Sequence, residues 1–98
     1  MLRITACHQE DTVTLRLEGQ LQGPWVDELH ECWQRERAAR GGAAILIELV
    51  EVYPVDAAGR ALLARMHRAG ARLLASGALT KAICEEIAAG SETRGPRR

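Results

Sequence analysis

The chain has 98 residues, 47% of them apolar, and its thirteen basic and thirteen acidic residues cancel to a formal charge of zero. That length suits one domain with a single two-layer core and excludes a core plus a second module. Zero net charge excludes a general polyanion binder, and with only Trp25, Trp33 and Tyr53 as aromatics there are few platforms on which single-stranded nucleic acid could stack.

The first elements read as strands. Leu2-Arg3-Ile4-Thr5-Ala6 alternates apolar and polar residues, His8-Gln9-Glu10-Asp11 suits a hairpin loop, and Thr12 to Glu18 alternates strictly. Strict alternation predicts a strand with one wet face. Pro24 suits the first position of a helix, because its missing N–H would be unpaired there in any case. In that helix Trp25, Val26, Leu29, Cys32 and Trp33 fall on one arc, with Asp27, Glu28 and Glu31 opposite, and Gly41-Gly42 ends it.

Ala43 to Val50 is almost continuously apolar, the pattern of an interior parallel strand. A second helix is expected from Ala57 to about Ala69, with Leu62, Leu63 and Met66 inside, Arg60, Arg65, His67 and Arg68 outside, and Gly70 as its stop. Arg72-Leu73-Leu74-Ala75 reads as a short strand. A third helix, around Thr80 to Ala89, aligns Leu79, Ile83 and Ile87 at spacing four. After Gly90 the segment SETRGPRR has no apolar anchor, so the expected division is one domain over 1–89 and a disordered tail over 90–98.

Two strand–helix–strand units with right-handed crossovers define an α/β fold, a mixed sheet of about four strands with three helices packed against it. Arg3, Thr5, Thr12, Thr14 and Arg16 should then point away from the helices together with Leu46, Glu48 and Val50. The partly apolar character of that face predicts a weak homodimer. No apolar run reaches the length of a signal peptide or a membrane span, so no membrane insertion is expected. Cys7, Cys32 and Cys84 are odd in number, far apart and outside any CxxC, which predicts reduced thiols in a cytoplasmic protein.

The stretch VYPVDAAGRALLARMH carries the candidate site. An aspartate between a strand and a helix suits the N-cap: the Asp56 carboxylate can accept the amide hydrogens of Ala58 or Gly59, and its charge favours the positive end of the helix dipole. Helix N-termini often hold a hydroxyl, a phosphate or a nucleophile, yet the two positions after Asp56 are the methyl groups of Ala57 and Ala58. Gly59 permits close approach of backbone.

Nothing else in the chain has the spacing of a catalytic set. Cys7-His8 and His30-x-Cys32 do not match a structural zinc signature, Glu85-Glu86 lacks a second carboxylate at catalytic spacing, and no Gly-rich phosphate loop is present. The expectation is no enzyme, no metal and no cofactor. Cys32 and Cys84 suit the role of small core hydrophobes.

LRLEGQL, an amphipathic helix and then AAILIELVEVYPVDAAGRALLARMHRAGARLLASG together resemble the STAS domain, the fold of bacterial anti-sigma factor antagonists and of the cytoplasmic ends of sulfate transporters. The resemblance covers roughly residues 10 to 88. Its most specific part is the apolar strand, Val55-Asp56-x-x-Gly59 and the Leu62-Leu63 helix. Regulatory members carry Asp-Ser-Ser-Gly or Asp-Thr-x-Gly there, and a partner kinase that is also the anti-sigma factor phosphorylates the residue after the aspartate. Here Ala57 occupies that position and Ala58 the next, so neither takes a phosphate. The sporulation-type antagonists also continue into a further strand and helix after the third helix.

The resemblance implies a non-catalytic interaction module of the anti-sigma factor antagonist type, held in the unphosphorylated, binding-competent form. Its partner would be an anti-sigma factor or a related kinase-type ATPase. It implies that the corner of Asp56, Ala57, Ala58, Gly59 and Arg60 and the adjacent helix surface meet that partner. On that surface Arg60, Ala61, Ala64 and Arg68 form one strip, read either as room for a close approach with guanidinium groups to pair with acidic residues or as an ordinary solvated face with alanine chosen for helix propensity. An alternative drawn from the same family is the small STAS subunit of a phospholipid-transport ABC system, which binds its ATPase subunit through the same corner. A small-molecule or nucleotide binder is a third class.

Overall fold

Residues 1–39 and 41–93 are described by the computed structural model, in the order β1 (Leu2–His8), β2 (Thr12–Leu21), α1 (Pro24–Ala39), β3 (Ala44–Val55), α2 (Ala57–Arg68), β4 (Arg72–Ser76) and α3 (Ala78–Thr93). The β1–β2 hairpin is antiparallel and is closed by a bond from the Gln9 amide to the Thr12 carbonyl. β2 pairs parallel with β3, and β3 parallel with β4, so the four strands lie in space in their chain order. The mixed α/β architecture expected from the sequence is the one observed.

Period-two alternation divides the sheet into two faces. Val13, Leu15 and Leu17 of β2 and Ile47 and Leu49 of β3 are fully buried, in one core cluster with Val26, Leu29 and Trp33 of α1, Leu62, Leu63 and Met66 of α2, and Ile83 and Ile87 of α3. All three helices therefore cover the same face. The residues between, Thr12, Thr14 and Arg16 on β2 and Leu46, Glu48 and Val50 on β3, point to the opposite face, as expected. Burial pushes the thiols of Cys32 and Cys84 above the ordinary range, Glu85 adding to the effect at Cys84.

β3 runs five residues beyond the Val50 end expected for it, through Pro54. Leu17 faces Leu49 but Gly19 faces Val52, and Leu21 then faces Val55, so β3 gains one residue on β2 at each of two irregularities. Glu51, at the first, adopts a left-handed backbone with φ 56°. The extra residue moves the inward positions from Ile47 and Leu49 to Val52, which is again fully buried. Pro54 falls in the second irregularity, where a residue without an N–H leaves no ladder bond unmade.

Two further features, the burial of His67 and the bounds of α3, differ from expectation, while Trp25 lies on the arc expected for it. His67 is half-buried rather than solvated, because α3 packs beside α2. Its Nδ1 is buried without a hydrogen-bond partner among the described residues, in a cavity wall shared with Cys84 and Ala88. Trp25 is half-buried at the rim of the core. α3 starts two residues earlier than expected and continues to Thr93, four residues into the segment expected as a tail; 94–98 lie outside the described residues. Thr80, 3% exposed, satisfies its hydroxyl by donating to the Val52 carbonyl at 3.2 Å.

Candidate functional site

Asp56 is the residue through which four elements meet. It caps α2 with extended backbone, φ −80° and ψ −179°, and one carboxylate oxygen, Oδ1, accepts the Gly59 amide at 2.7 Å. The other oxygen, Oδ2, accepts the Gly23 amide at 3.0 Å, from the turn that opens α1. Its own amide donates to the Leu21 carbonyl at the end of β2, and its carbonyl accepts from the Arg60 amide. One side chain and one peptide unit thus tie β2, α1, β3 and α2 together. Gly23 holds φ 59°, a left-handed backbone that favours glycine, and this turns its amide toward the carboxylate.

The electrostatics follow from this geometry. The amides of Gly23 and then of Gly59 favour the charged carboxylate and hold Asp56 below the ordinary carboxylate range. The N-termini of α1 and α2 both open at this corner, beyond the carboxyl ends of the parallel strands β2 and β3, where α/β sheets commonly bind ligands. The two amides nearest Asp56 are already taken by its own carboxylate. The corner is therefore internally neutralised, and what it offers outward is shape: the exposed methyls of Ala57 and Ala58, exposed Pro24 and, at the end of β3, Tyr53 at 57% exposure.

A depressed carboxylate pKa has a defined signature. Its contribution to stability is present above the unfolded value near ~3.9 and is lost as pH falls through the lower folded value. Asp56→Asn keeps an N-cap acceptor for Gly59 but loses the charge. We expect the variant to be less stable than the wild type at neutral pH, with the difference shrinking on acidification below about pH 4. Denaturant melts of both proteins across that range check this; a constant difference at every pH would contradict it.

The strip expected on α2 is only partly free. Ala57, Ala58, Ala61 and Arg68 are exposed, whereas Ala64 is half-buried against the core and Gly59 is buried. The Arg60 guanidinium is held by Glu86 of α3, with Nη1 to Oε1 at 2.6 Å. So the surface that α2 presents beside the corner is a row of methyls ending in one arginine. Gly23 and Tyr53 belong to the same corner and were not singled out from the sequence. A glycine before a proline at a helix start was the only signal for the first, and a lone aromatic beside a proline the only signal for the second.

Among the described residues no three His, Cys, Asp or Glu side chains converge as a metal site. His8 pairs instead with Glu36, Nε2 to Oε1 at 2.9 Å. Cavities of about 310 and 330 Å³ open elsewhere, one walled by Trp33, Arg37 and Ala71 and the other by His67, Leu74 and Cys84; neither is lined by Asp56, Ala57, Ala58 or Gly59. No described helix is long and apolar enough to cross a membrane.

This is a small α/β domain whose four-stranded mixed sheet is covered by three helices on one face. No family model matches the chain, and no curated protein matches it. Among solved structures, the crystallised protein Mglu is similar, with a TM-score of 0.58 and 22% identity, over 76% of this chain and 19% of that one. At that identity the likeness is one of fold. The chain matches only a minor part of the longer protein.

Proposed function

We propose that this chain is a non-catalytic, cytoplasmic STAS-type interaction module, similar to anti-sigma factor antagonists, that binds a kinase-type ATPase without a phosphorylation switch. The observation that carries the reading is the exposed Ala57 directly after the capping Asp56. In regulatory members of the resembling family that position holds the phosphorylated hydroxyl. Here the position is reachable from solvent, the corner is braced by two carboxylate–amide bonds, and there is no oxygen to modify. The neighbouring Ala58, Ala61 and Arg68 leave room for a second protein to approach α2 closely, and Arg68, exposed and without an ion pair among the described residues, can pair with an acidic group on it.

The test is capture from the native cytoplasm with wild-type protein and with Ala57→Asp, which places a negative charge where the phosphate would sit. Acidic residues are favoured in the first turn of a helix, so the variant should melt no lower than the wild type. The expected result is an ATPase of the anti-sigma kinase type bound by the wild type and bound about a hundredfold or more weakly by the variant, the penalty of an unmatched charge in an interface. Capture of a transporter ATPase through the same corner would favour the ABC-subunit alternative. Undiminished binding by Ala57→Asp would remove the corner as the contact.

A further inference from the structure

We propose that the uncovered face of the sheet is a self-association surface on which a second copy of this chain packs about a two-fold axis. This does not depend on the partner reading above. Three of the four strands are parallel, and parallel strands are normally covered on both faces. Here all three helices lie on one side. The register defines the other side in two full rows: Thr5, Arg16, Glu48 and Leu74, then Cys7, Thr14, Leu46 and Arg72; beyond them Arg3 pairs with Glu18 and Val50 with Ser76, on either side of the first irregularity.

The first of these rows selects the occupant. Arg16 and Glu48 are cross-strand neighbours at the centre of the face. Arg16 turns its Nε to Glu18 at 3.5 Å, and Glu48, half-buried, has no basic group within ion-pair distance among the described residues. A two-fold axis lying in the interface, parallel to the strands and midway between β2 and β3, sets β2 of one copy over β3 of the other. Arg16 then faces Glu48 of the second copy, and Glu48 faces its Arg16. The same operation lays Leu46 on Thr14 and Leu74, 41% exposed, on Thr5, so apolar area meets methyl-bearing side chains and no like charges meet in that row.

The size of the face sets the strength. Four strands spaced ~4.8 Å apart, over about seven residues rising ~3.3 Å each, bury roughly 900 Å² across the two copies. That is just under the ~1,000 Å² at which stable interfaces begin. The association is therefore weak and reversible. It leaves the Asp56 corner clear, because α2 lies on the far side of the sheet.

Sedimentation equilibrium of the full chain, from micromolar to millimolar, tests this with three variants. Arg16→Glu alone and Glu48→Arg alone should each weaken dimerisation by about tenfold or more, since each brings like charges together across the two-fold. An equimolar mixture of the two should form a heterodimer, because the acidic face of one variant meets the basic face of the other. The double variant Arg16→Glu/Glu48→Arg should recover the wild-type constant to within a few fold, and it keeps the test open if a single variant fails to fold. Wild type that stays monomeric at millimolar concentration overturns the proposal. So does a dimer that both folded single variants leave unchanged, or a mixture and a double variant that both fail to restore it.

Discussion

Gly59→Ala should destabilise the protein by about 2–3 kcal/mol, although helix propensity alone favours alanine by up to ~1 kcal/mol. Gly59 sits in the first turn of α2, buried where the helix crosses the end of β2. A Cβ there would lie 2.6 Å from the Leu21 carbonyl oxygen, 2.9 Å from Leu21 Cγ and 3.2 Å from Val55 Cγ1. A side chain can turn away from such a contact, but the Leu21 carbonyl cannot, because it also accepts the Asp56 amide. The helix start has to move, and with it the bond from the Gly59 amide to Asp56. Urea unfolding should show a lower midpoint with an unchanged slope, the mark of lost stability rather than of a changed denatured state. A midpoint at or above that of the wild type would show that α2 sits further from the sheet than described.

Leu21→Ala should cost about 2–5 kcal/mol, the range for deleting a fully buried leucine and leaving a cavity. Leu21 is 0% exposed and ends β2 directly beneath Gly59. The two substitutions share a contact, so their effects should not add. Removing the leucine side chain takes away the 2.9 Å obstacle but leaves the carbonyl at 2.6 Å. In the Leu21→Ala background, Gly59→Ala should therefore cost less than it does in the wild type without becoming favourable. A double-mutant cycle by denaturant unfolding measures this coupling. Strict additivity would mean that the side chain of Leu21 plays no part in excluding a Cβ.

Much of the fold was legible because its parts obey simple periods. Thr12 to Glu18 alternates, the first half of β3 is continuously apolar, and the helices carry their apolar arcs at the right spacing; these held, with Ile83 and Ile87 of the third arc buried and the Leu79 side chain outside the described residues. Where reading failed, a residue's neighbours came from elsewhere in the chain. The second half of β3 breaks period two at Glu51 and carries a proline, and only pairing with β2 shows that the strand goes on across two irregularities. His67 looked solvated on an isolated helix, and the packing of α3 beside α2 half-buries it; Arg60 is exposed as expected, but its ion pair with Glu86 of α3 was not readable.

At the candidate site, the capping role of Asp56 and its acceptance of the Gly59 amide were readable from local spacing. Its second bond spans 33 residues to Gly23, and no local pattern encodes it. The same holds for the close approach at Gly59. A glycine after Asp-Ala-Ala suggests proximity to backbone, but that the backbone is Leu21 follows only from the crossover geometry.

The spatial order of the strands repeats their order along the chain, and this bears on how the protein is built on the ribosome. Each strand that emerges adds to the open edge left by the one before it. No strand has to be inserted between two that have already paired. The β1–β2 hairpin is a local nucleus, and each crossover helix arrives together with the strand that completes its unit, so loop closure is met in short steps rather than across the whole chain. At every stage the growing edge belongs to the newest strand while β1 keeps the other, so β2 and β3 are each open on one side only until the next strand pairs.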